Sequence, residues 1–478
     1  MSHGKTIAKN AAWLMGAMTA QKVIAFLSFT IVARLVGVQV TGEYFFVISI
    51  TSVFVILTDL GLTPVIIREM AQNEESGNGV FVRALQAKIG LIPLAIIATI
   101  LYGFFAGMSS TLFLALLCAC FVMSTDAVTL VWYGMLRGKR ELRYEALGLF
   151  LTQAVTAMIS VTMALMHQGV IGLVLGLCAG SAFNVTWSIW HARRMGIRCT
   201  SSQDWAWKDV IRAAAPFALA GLCVKIYSYV DTLLLRQIWG EVAVGYYAVA
   251  YKVTYAFQFL PLAFVAALYP GMSAAAKEKV QLQTILEGSL RLMMLVAAPL
   301  SALLSAFAPT IVRFVYGDQY QGSIAPLIIL PWVLIPIFVD FPVGSLLNAT
   351  HRAMKKTTAM FVTMVVNVVA NIILVPRFGP SGSAWAGVMG FVCLVLVGIW
   401  FIRHDLSGIR FILSLFIRGL SLAGILWFSI RFSQPYLPLF LELVFASFLT
   451  LFLLILFRFL RREDFIQLQE WFRLRKTV

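Results

Sequence analysis

The chain has 478 residues, of which 60% are hydrophobic and 12% are charged, with a net charge of +16 and a mean hydropathy of +0.89. This composition excludes an ordinary water-soluble enzyme, because a soluble domain needs polar faces wherever its elements meet water. The basic excess does not indicate nucleic-acid binding, since the basic residues occupy short segments between apolar runs and do not form one folded face.

Apolar runs of membrane-spanning length recur from Ala11 to Phe457 and predict about fourteen transmembrane spans. Backbone groups in hydrocarbon need hydrogen bonds within the segment, and the runs lack the alternation of a β-barrel, so the spans are predicted to be helices. The predicted spans are residues 11–36, 42–67, 84–106, 111–136, 145–166, 170–191, 210–238, 243–270, 285–308, 324–350, 357–376, 383–402, 412–431 and 437–457.

Charge patterning predicts how the chain lies in the membrane. Lys and Arg are concentrated in alternate loops, among them residues 137–143, 193–198 and 352–356, and loops of this kind stay in the cytoplasm. Both termini are therefore predicted to be cytoplasmic, which requires an even number of spans. Residues 458–478 carry apolar positions at helical spacing beside basic ones and predict an amphipathic helix on the inner surface, with a solvated tail as the alternative.

The sequence carries no sign of metal or cofactor chemistry. Its six cysteines have neither zinc-site nor redox spacing, and five of them fall inside predicted spans. An integral-membrane polymerase or ligase would need large outer loops with catalytic residues, whereas the outer loops predicted here are short. We therefore expect no metal, no cofactor and no enzymatic activity.

Two segments about two hundred residues apart resemble each other, namely residues 33–45 and 235–248. Each is predicted to join two spans through a short outer turn that contains Arg and Gly. An offset of six spans leaves both copies the same way up, which predicts a parallel repeat about an axis along the membrane normal. Chance similarity is the alternative, since Arg and Gly are common where helices end.

The repeat predicts the architecture of the whole chain. We expect an all-α integral membrane protein with two pseudo-symmetric six-helix lobes around a central cavity and two further C-terminal helices. The predicted domains are residues 1–208 for the first lobe, residues 209–402 for the second, and residues 403–478 for the last two spans and the tail.

Lysines occur near the middle of the first span of each predicted lobe, at Lys22 and Lys225. A lysine at the bilayer centre costs at least about 2.5–3.5 kcal/mol on insertion scales, and only residues near helix ends escape this cost by snorkelling. The two positions recur by repeat and have no acidic residue within a helical turn. We therefore expect both to line a water-filled cavity.

Further polar groups at membrane depth lie in the second predicted lobe. Lys252 and Asp231 fall in adjacent antiparallel spans and are expected either to pair as an interhelical tie or to act in transport. Tyr251 and Tyr255 flank Lys252 and offer an apolar face and a hydroxyl group to a sugar. An interfacial aromatic belt is the alternative for these tyrosines, although they lie deeper than such a belt.

Three other acidic residues need an explanation. Asp126 and Asp340 occupy matching spans of the two predicted lobes, where each would bind a coupling cation or accept hydrogen bonds from neighbouring helices. Asp59 precedes Pro64 near the inner end of the second span, where the proline should kink or end the helix. A structural or gating role is expected for this pair.

Taken in order, these motifs resemble the opening of a known family. The motifs are Lys9-Asn10-Ala11-Ala12-Trp13, Ala33-Arg34-Leu35-Val36-Gly37, Gly42-Glu43-Tyr44, Asp59-Leu60-Gly61-Leu62 and Ile67-Arg68-Glu69-Met70-Ala71. They are similar to the polysaccharide-biosynthesis flippases, the Wzx-type O-antigen translocases of the multidrug/oligosaccharidyl-lipid/polysaccharide exporter superfamily. The second copy, with Asp231, Arg236, Gly245 and Tyr246, resembles the second lobe of that family.

The resemblance implies two lobes around a cavity that opens alternately to each side of a bacterial inner membrane. It implies an undecaprenyl-pyrophosphate-linked oligosaccharide as cargo, exchange against protons or sodium, and the polysaccharide polymerase and chain-length machinery as partners besides membrane lipids. The residues predicted to bind cargo are Lys22, Arg34, Lys225, Arg236, Lys252, Tyr251 and Tyr255. The residues predicted to couple a cation are Asp126, Asp231 and Asp340.

Two other transport functions remain open from the sequence. A cation-coupled multidrug exporter would favour an acidic cavity for cationic drugs, which the basic residues at depth oppose. A lipid II flippase carries a similar pyrophosphate lipid. The resemblance to this superfamily does not separate the two, because its lipid II flippases also have fourteen spans.

Overall fold

A computed structural model describes residues 2–197, 205–403 and 409–459, without the side chains of residues 2–15, 17, 18, 266, 267, 409 and 410. All regular secondary structure in these residues is helical, which confirms the predicted all-α class. The amphipathic helix predicted for residues 458–478 lies outside the described residues, except for its first two positions.

The α-helices of the described residues are α1 (Ser2–Asp59), α2 (Leu62–Gln72), α3 (Glu74–Phe105), α4 (Ser110–Gly138), α5 (Leu142–Leu165), α6 (Gly169–Arg194), α7 (Trp207–Tyr255), α8 (Phe259–Ala274), α9 (Lys279–Ala306), α10 (Ala308–Ile311), α11 (Ile324–Ile329), α12 (Leu334–Ala349), α13 (Ala353–Phe378), α14 (Pro380–Ile402), α15 (Ile409–Ser433) and α16 (Leu439–Leu456). Short 3-10 segments cover Ala256–Gln258, Asp318–Ser323 and Leu330–Val333, and a π-helical turn covers Val312–Tyr316.

Twelve helical segments of the described chain are long and apolar enough to cross a membrane, so the protein is a multi-pass membrane protein. Two of these segments are much longer than one crossing, since Thr19–Asp59 has 41 residues and Trp207–Val265 has 59. About 20 helical residues cross the hydrocarbon core, so each of the two has the length of two crossings. The predicted total of fourteen spans stays a prediction.

Each of the two longest helices is interrupted at a single glycine. Gly37 in α1 has φ 81° and ψ 175°, and Gly240 in α7 has φ 79° and ψ −176°. Only glycine adopts such angles readily, because it has no Cβ atom. Each short turn predicted from the sequence is thus a tight break at one glycine, and the two helical parts that it joins lie side by side, since Tyr247 donates a hydrogen bond to Asp231 sixteen positions earlier. The matching angles give the predicted repeat a structural counterpart.

Just after these breaks, α1 and α7 cross with their backbones in contact. A Cβ atom on Gly42 would lie 1.9 Å from the carbonyl oxygen of Glu241, and one on Gly245 would lie 2.2 Å from that of Val38. Gly42 and Gly245 are 203 positions apart, as are Val38 and Glu241. The contact is thus reciprocal, as a two-fold axis between two copies of a segment produces.

The other end of α1 is broken by a tight turn. The helix ends at Asp59, Leu60 and Gly61 follow with positive φ angles of 43° and 78°, and α2 begins at Leu62. Pro64 therefore lies in the first turn of α2, where its missing N–H group costs nothing. The helix ends before this proline, as the sequence predicts.

One compact unit consists of Met1–Phe259, Val312–Pro326 and Met360–Gly390. Part of its core lies where α2, α3 and α4 meet, and includes the fully buried Ile66, Phe81 and Leu136. The ring of Phe81 meets that of Trp132 edge-on, with ring centroids 4.9 Å apart. Because α1 and α7 both belong to this unit, the crossing and the predicted lysines lie within it.

A second compact unit consists of Leu260–Ile311, Leu327–Ala359 and Phe391–Val478. Its helix α9 is buried along one face, and α15 packs closely on it, since a Cβ atom on Gly419 would lie 2.5 Å from Sδ of Met294. Ser305 donates a hydrogen bond to the backbone carbonyl of Ile328, and Gln434 donates one to the backbone carbonyl of Ala306. The predicted domain boundaries after residues 208 and 402 stay predictions.

The crossing predicts which glycines the fold requires. Gly42→Ala and Gly245→Ala should lower the unfolding temperature of the detergent-solubilised protein, because overpacking of a close contact typically costs about 1–3 kcal/mol. The measurement is a thermal unfolding curve in which the folded protein that remains after heating is quantified by size-exclusion chromatography.

Gly424→Ala in α15 is the matched control, because a Cβ atom there has no other atom within 4 Å. This control should keep or raise the unfolding temperature, since alanine is about 1 kcal/mol more favourable than glycine inside a helix. Equal unfolding temperatures for all three variants would contradict the proposed close contact.

Candidate functional site

Lys252 is the centre of a cluster of basic and aromatic side chains on α1 and α7. It is half-buried in the second part of α7, and its ammonium group lies 5.3 Å from the ring centroid of Phe29 and 5.7 Å from that of Phe45. Both phenylalanines belong to α1, on opposite sides of the break at Gly37. The rings stabilise the cation electrostatically and leave it without a compensating negative charge.

The lysines predicted from the repeat lie on the parts of α1 and α7 before the breaks. Lys22 has an exposed side chain and is close enough to Lys252 for their charges to repel each other. Lys225 is half-buried, with its ammonium group 5.6 Å from the ring centroid of Tyr229. Among the described residues, no ion pair involves Lys22, Lys225 or Lys252.

A ladder of tyrosines joins the lysine positions. The rings of Tyr251 and Tyr255 are stacked, with centroids 4.3 Å apart, and Tyr251 also meets Phe45 at 5.3 Å. Tyr229 lies in the vicinity of Tyr251, and Tyr247 lies one turn before Tyr251 on α7. The ladder thus continues from Lys225 through the tyrosines to Phe45 and Lys252, and presents aromatic faces beside positive charges.

Asp231 is buried beside this ladder but does not pair with Lys252. Its carboxylate accepts hydrogen bonds from the hydroxyl group of Tyr247, and from the backbone N–H (2.6 Å) and hydroxyl group (3.2 Å) of Thr232. The predicted ion pair between Asp231 and Lys252 is therefore not formed among the described residues. The tie across the two parts of α7 exists, but its partner is a tyrosine.

Arg34 lies near the break in α1 and contacts backbone carbonyls. Its guanidinium group donates to the carbonyl oxygens of Phe314 and Val315, at 3.3 Å and 3.5 Å. Gln319 donates in return to the carbonyl oxygen of Arg34 at 3.2 Å. Arg34 thus holds the π-helical turn and the following segment against α1, and it lies apart from the contacts of the lysine cluster.

Arg236 is held in a similar way near the break in α7. It forms an ion pair with Glu241 at 3.0 Å, donates to the carbonyl oxygen of Ala106, and lies 5.1 Å from the ring centroid of Phe46. Only about a tenth of its side chain is exposed. These contacts satisfy the guanidinium group within the protein, so the structure gives Arg236 a structural environment.

The two acidic residues of matching predicted spans have different partners. Asp126 on α4 accepts a hydrogen bond from Ser181 on α6, and Ser181 also interacts with Thr125. Asp340 on α12 forms an ion pair with Lys356 on α13. The carboxylate of Asp126 is thus bonded to a neutral hydroxyl group, whereas that of Asp340 is bonded to the ammonium group of a lysine.

Asp59 at the end of α1 forms an ion pair that the sequence analysis missed. Lys88 on α3 is 3% exposed, and its ammonium group donates to Asp59 at 3.1 Å and to the carbonyl oxygen of Thr58 at 2.6 Å. Thr63 donates its hydroxyl group and its backbone N–H to the same carboxylate, at 2.6 Å and 3.4 Å. Lys88 is 29 positions from Asp59, so no short-range spacing could reveal the pair.

Sequence comparisons identify the family of this chain. A family described as polysaccharide biosynthesis protein matches residues 7–276, which is more than half of the chain. The chain belongs to the polysaccharide biosynthesis protein family. A second family, described as MatE, matches residues 216–373 of this family member. The family resemblance predicted from the N-terminal motifs is confirmed.

Similar proteins match most of the chain at low identity. A relative from Haloferax volcanii, named "Probable low-salt glycan biosynthesis flippase Agl15", is 22% identical over 381 residues, which cover 77% of each protein. A relative from Methanocaldococcus jannaschii, named "Uncharacterized membrane protein MJ1375", is 20% identical and covers 83% of this chain and 97% of its own.

Solved structures place this member of the polysaccharide biosynthesis protein family in a known fold. It is similar to the lipid II flippase MurJ in an inward closed conformation, with a TM-score of 0.75, 13% identity and coverage of 95% of this chain and 99% of MurJ. It is also similar to an inward-facing multidrug resistance MATE family transporter, with a TM-score of 0.66, 18% identity and coverage of 82% and 95%. These likenesses confirm the predicted fold class.

The ion pair at the end of α1 gives a testable expectation for stability. Asp59→Asn or Lys88→Met alone should destabilise the protein by about 3–5 kcal/mol, because each leaves a buried group without its partner. The double variant should be more stable than the sum of the two single effects predicts. Thermal unfolding of all four proteins in one detergent gives the coupling energy. Additive effects would show that the two side chains do not interact.

Proposed function

We propose that this protein is a flippase that moves an undecaprenyl-pyrophosphate-linked oligosaccharide from the cytoplasmic to the periplasmic leaflet of a bacterial inner membrane. The observation that carries the proposal is the cluster of Lys22, Lys225 and Lys252 among aromatic rings. The printed name of the Haloferax volcanii relative, a probable glycan biosynthesis flippase, supports the same class of cargo.

Charge is the first reason to assign an anionic cargo to this cluster. An unpaired lysine within a span costs at least about 2.5–3.5 kcal/mol, and no negatively charged group among the described contacts offsets that cost for Lys22, Lys225 or Lys252. A pyrophosphate group supplies the missing negative charges when cargo binds. The lysines then replace part of its hydration, as positive clefts do for anionic substrates.

The aromatic ladder is the second reason, because it suits a sugar next to a phosphate. Stacked tyrosines such as Tyr251 and Tyr255 present apolar ring faces to sugar C–H groups and hydroxyl groups to sugar oxygens. In this proposal the glycan lies along the tyrosines, the pyrophosphate lies at the lysines, and the prenyl chain stays in lipid.

Transport requires the cargo site to be open to each side of the membrane in turn. We assign the change to motion at Gly37 and Gly240, because each joins two helical parts through one residue without a side chain. Lys22 and Lys225 precede these breaks, whereas Lys252 follows one of them. Movement about the glycines therefore changes the spacing of the lysines and releases the pyrophosphate.

The other transport functions differ in the charge that they require. A cation-coupled multidrug exporter would bind cationic drugs, and three unpaired lysines oppose such cargo by repulsion. A lipid II flippase would use the same lysines, because its cargo also carries a pyrophosphate. The similarity to MurJ concerns the fold alone, so the distinction depends on the glycan and is left to the experiment.

The proposal includes a coupling cation, for which Asp126 is the first candidate. Asp340 already has Lys356 as its cation, and Asp231 already accepts hydrogen bonds from Tyr247 and Thr232. Asp126 has only a hydroxyl partner among its described hydrogen bonds. A carboxylate in this setting gains most from binding a proton or a sodium ion.

We further propose that the protein is a transporter and not an enzyme, with both termini in the cytoplasm. Its partners would be membrane lipids, the lipid-linked glycan, and the polymerase and chain-length machinery that consume the glycan. These features follow from the proposed cargo, and co-purification with a polymerase would test the last of them.

Removing the lysine charges tests the function directly. Lys225→Met or Lys22→Met should lower transport roughly ten- to hundredfold, since a contact with a charged group contributes about 1.5–3 kcal/mol. Lys→Arg at either position should keep part of the activity. The measurement is surface polysaccharide in a bacterial strain that lacks its own repeat-unit flippase, with the amount of membrane-inserted protein measured in parallel.

Lys277→Met is the matched control, because Lys277 is an exposed lysine between α8 and α9, outside the cluster. It should leave polysaccharide unchanged. Wild-type polysaccharide from both cluster variants would remove the lysines from the mechanism. Rescue of a strain that lacks its lipid II flippase, without rescue of the polysaccharide strain, would assign lipid II as the cargo.

Coupling is tested separately in proteoliposomes with an imposed proton or sodium gradient. Asp126→Asn should abolish the acceleration of transport by the gradient and leave transport down the cargo gradient intact. Ser181→Ala should weaken the acceleration only partly, because it removes one hydrogen bond of about 1 kcal/mol. A wild-type response of Asp126→Asn to both gradients would rule out Asp126 as the coupling residue.

A further inference from the structure

An apolar groove with a volume of about 550 Å³ lies between α3 and the first part of α7, and its lining includes none of the residues of the lysine cluster. Its walls include Leu91 and Leu94 from α3 and Ile211, Ala215 and Ala218 from α7, and every lining residue is apolar or glycine. The groove lies within one compact unit of the protein.

Small residues create this groove. Gly90 leaves it open on α3, since a Cβ atom there would have no other atom within 4 Å. Ala214, Ala215 and Ala218 form the facing wall on α7. Both helices are membrane-spanning by length and composition, so the medium around the groove is lipid. Hydrocarbon chains are the molecules available to fill an apolar groove at this depth.

Basic and aromatic side chains mark one end of the groove. The guanidinium group of Arg83 lies 5.3 Å from the ring centroid of Trp207, which lines the groove, and donates to the carbonyl oxygen of Trp205 at 2.9 Å. Lys208 and Arg212 are exposed on the first turns of α7. This combination of tryptophan and basic residues is typical of the level of lipid headgroups.

Helical geometry places the two exposed basic residues beside the groove. Lys208 and Arg212 each follow a lining residue, Trp207 or Ile211, and one residue corresponds to about a quarter turn of a helix. Asp209, the acidic residue of this turn, lies on the far side of the helix from the groove. Among the described residues, no ion pair involves Lys208 or Arg212.

We propose that this groove binds an anionic phospholipid, with one acyl chain between α3 and α7 and the phosphate beside Lys208 and Arg212. The apolar walls match the chain, and the basic end matches the charge of the headgroup. The site differs from the cargo cluster in position and in residues, so it does not depend on the proposed transport function.

The position of the groove gives the lipid a structural effect. Leu60 and Leu62, which flank the turn between α1 and α2, also line the groove. Gly61 in that turn is packed against α7, where a Cβ atom would lie 2.5 Å from the carbonyl oxygen of Ala214. A bound chain therefore contacts the turn on one side while α7 supports it on the other, and should stabilise it.

The test uses the full chain in detergent and native mass spectrometry with added dioleoyl phosphatidylglycerol or dioleoyl phosphatidylcholine. The wild-type protein should retain one phosphatidylglycerol molecule with a preference of about tenfold or more, since each basic residue near the headgroup contributes about 1 kcal/mol. Lys208→Gln with Arg212→Gln should abolish the preference and leave retention of phosphatidylcholine unchanged.

Filling the groove should abolish retention of both lipids. Gly90→Leu fills the groove from α3. Ala215→Leu fills it from α7 and replaces the first variant in the test if Gly90→Leu folds poorly. Gly424→Leu in α15 is the matched control, because that position is also open, and it should retain lipid like the wild type.

Two results would overturn the proposal. The first is unchanged retention of phosphatidylglycerol by folded Gly90→Leu and Ala215→Leu. The second is displacement of phosphatidylglycerol by undecaprenyl phosphate at roughly a tenth of its concentration, which would make the prenyl chain of the cargo the occupant. Loss of transport is not a readout here, so failure of this proposal and failure of the flippase proposal are distinguishable.

Discussion

The backbone contact between α1 and α7 is the constraint on which the rest of the site depends. Gly42 and Gly245 allow the two helices to touch immediately after the breaks at Gly37 and Gly240. The crossing sets the two helices side by side, so that Lys252 of α7 meets Phe29 and Phe45 of α1. A side chain at either crossing glycine would separate the helices and, with them, the basic cluster. The contact is reciprocal because the two segments are copies of one another.

Five lysines of the described helices fall into two groups with different environments. Lys88 is buried and paired with Asp59, and Lys356 is half-buried and paired with Asp340, so their charges are compensated within the fold. Lys225 and Lys252 contact aromatic rings and Lys22 lies in the vicinity of Lys252, but none of the three forms an ion pair among the described residues. A stabilising role explains the first group. It does not explain the second, because apolar residues would insert into the membrane at lower cost. In the proposed function, an anionic ligand accounts for the retention of these three lysines.

Much of the fold could be predicted because hydrophobic length and charge are local properties of the sequence. The helices, the two similar segments, and the matching positions of Lys22 and Lys225 in the first span of each predicted lobe needed no knowledge of contacts. The partners of the polar groups could not be predicted in this way. Asp231 was matched with Lys252 by charge and depth, whereas the fold supplies Tyr247. Asp59 finds Lys88, and Arg34 finds carbonyl groups of the π-helical turn, through contacts between segments distant in sequence.

The two copies have diverged where the proposed function would require it. The position of Asp231 corresponds to Ser28 in the first copy, and Tyr247 corresponds to Tyr44, so the repeat keeps the tyrosine but not the acid. Ser28 donates to the carbonyl oxygen of Ala25 at 3.2 Å, within its own helix. Among the described hydrogen bonds, α7 therefore has a direct side-chain tie between its two parts, whereas the two parts of α1 are joined through the hydroxyl group of Tyr320, which donates to the carbonyl oxygen of Ala33 and is hydrogen-bonded to Thr41. The tie within α7 lies between Lys225 and Lys252 along the chain, while Lys22 lies on α1. In the proposed cycle, the tie within α7 thus helps to keep Lys225 and Lys252 together on the cargo, whereas the position of Lys22 relative to them depends on the packing of α1 against α7.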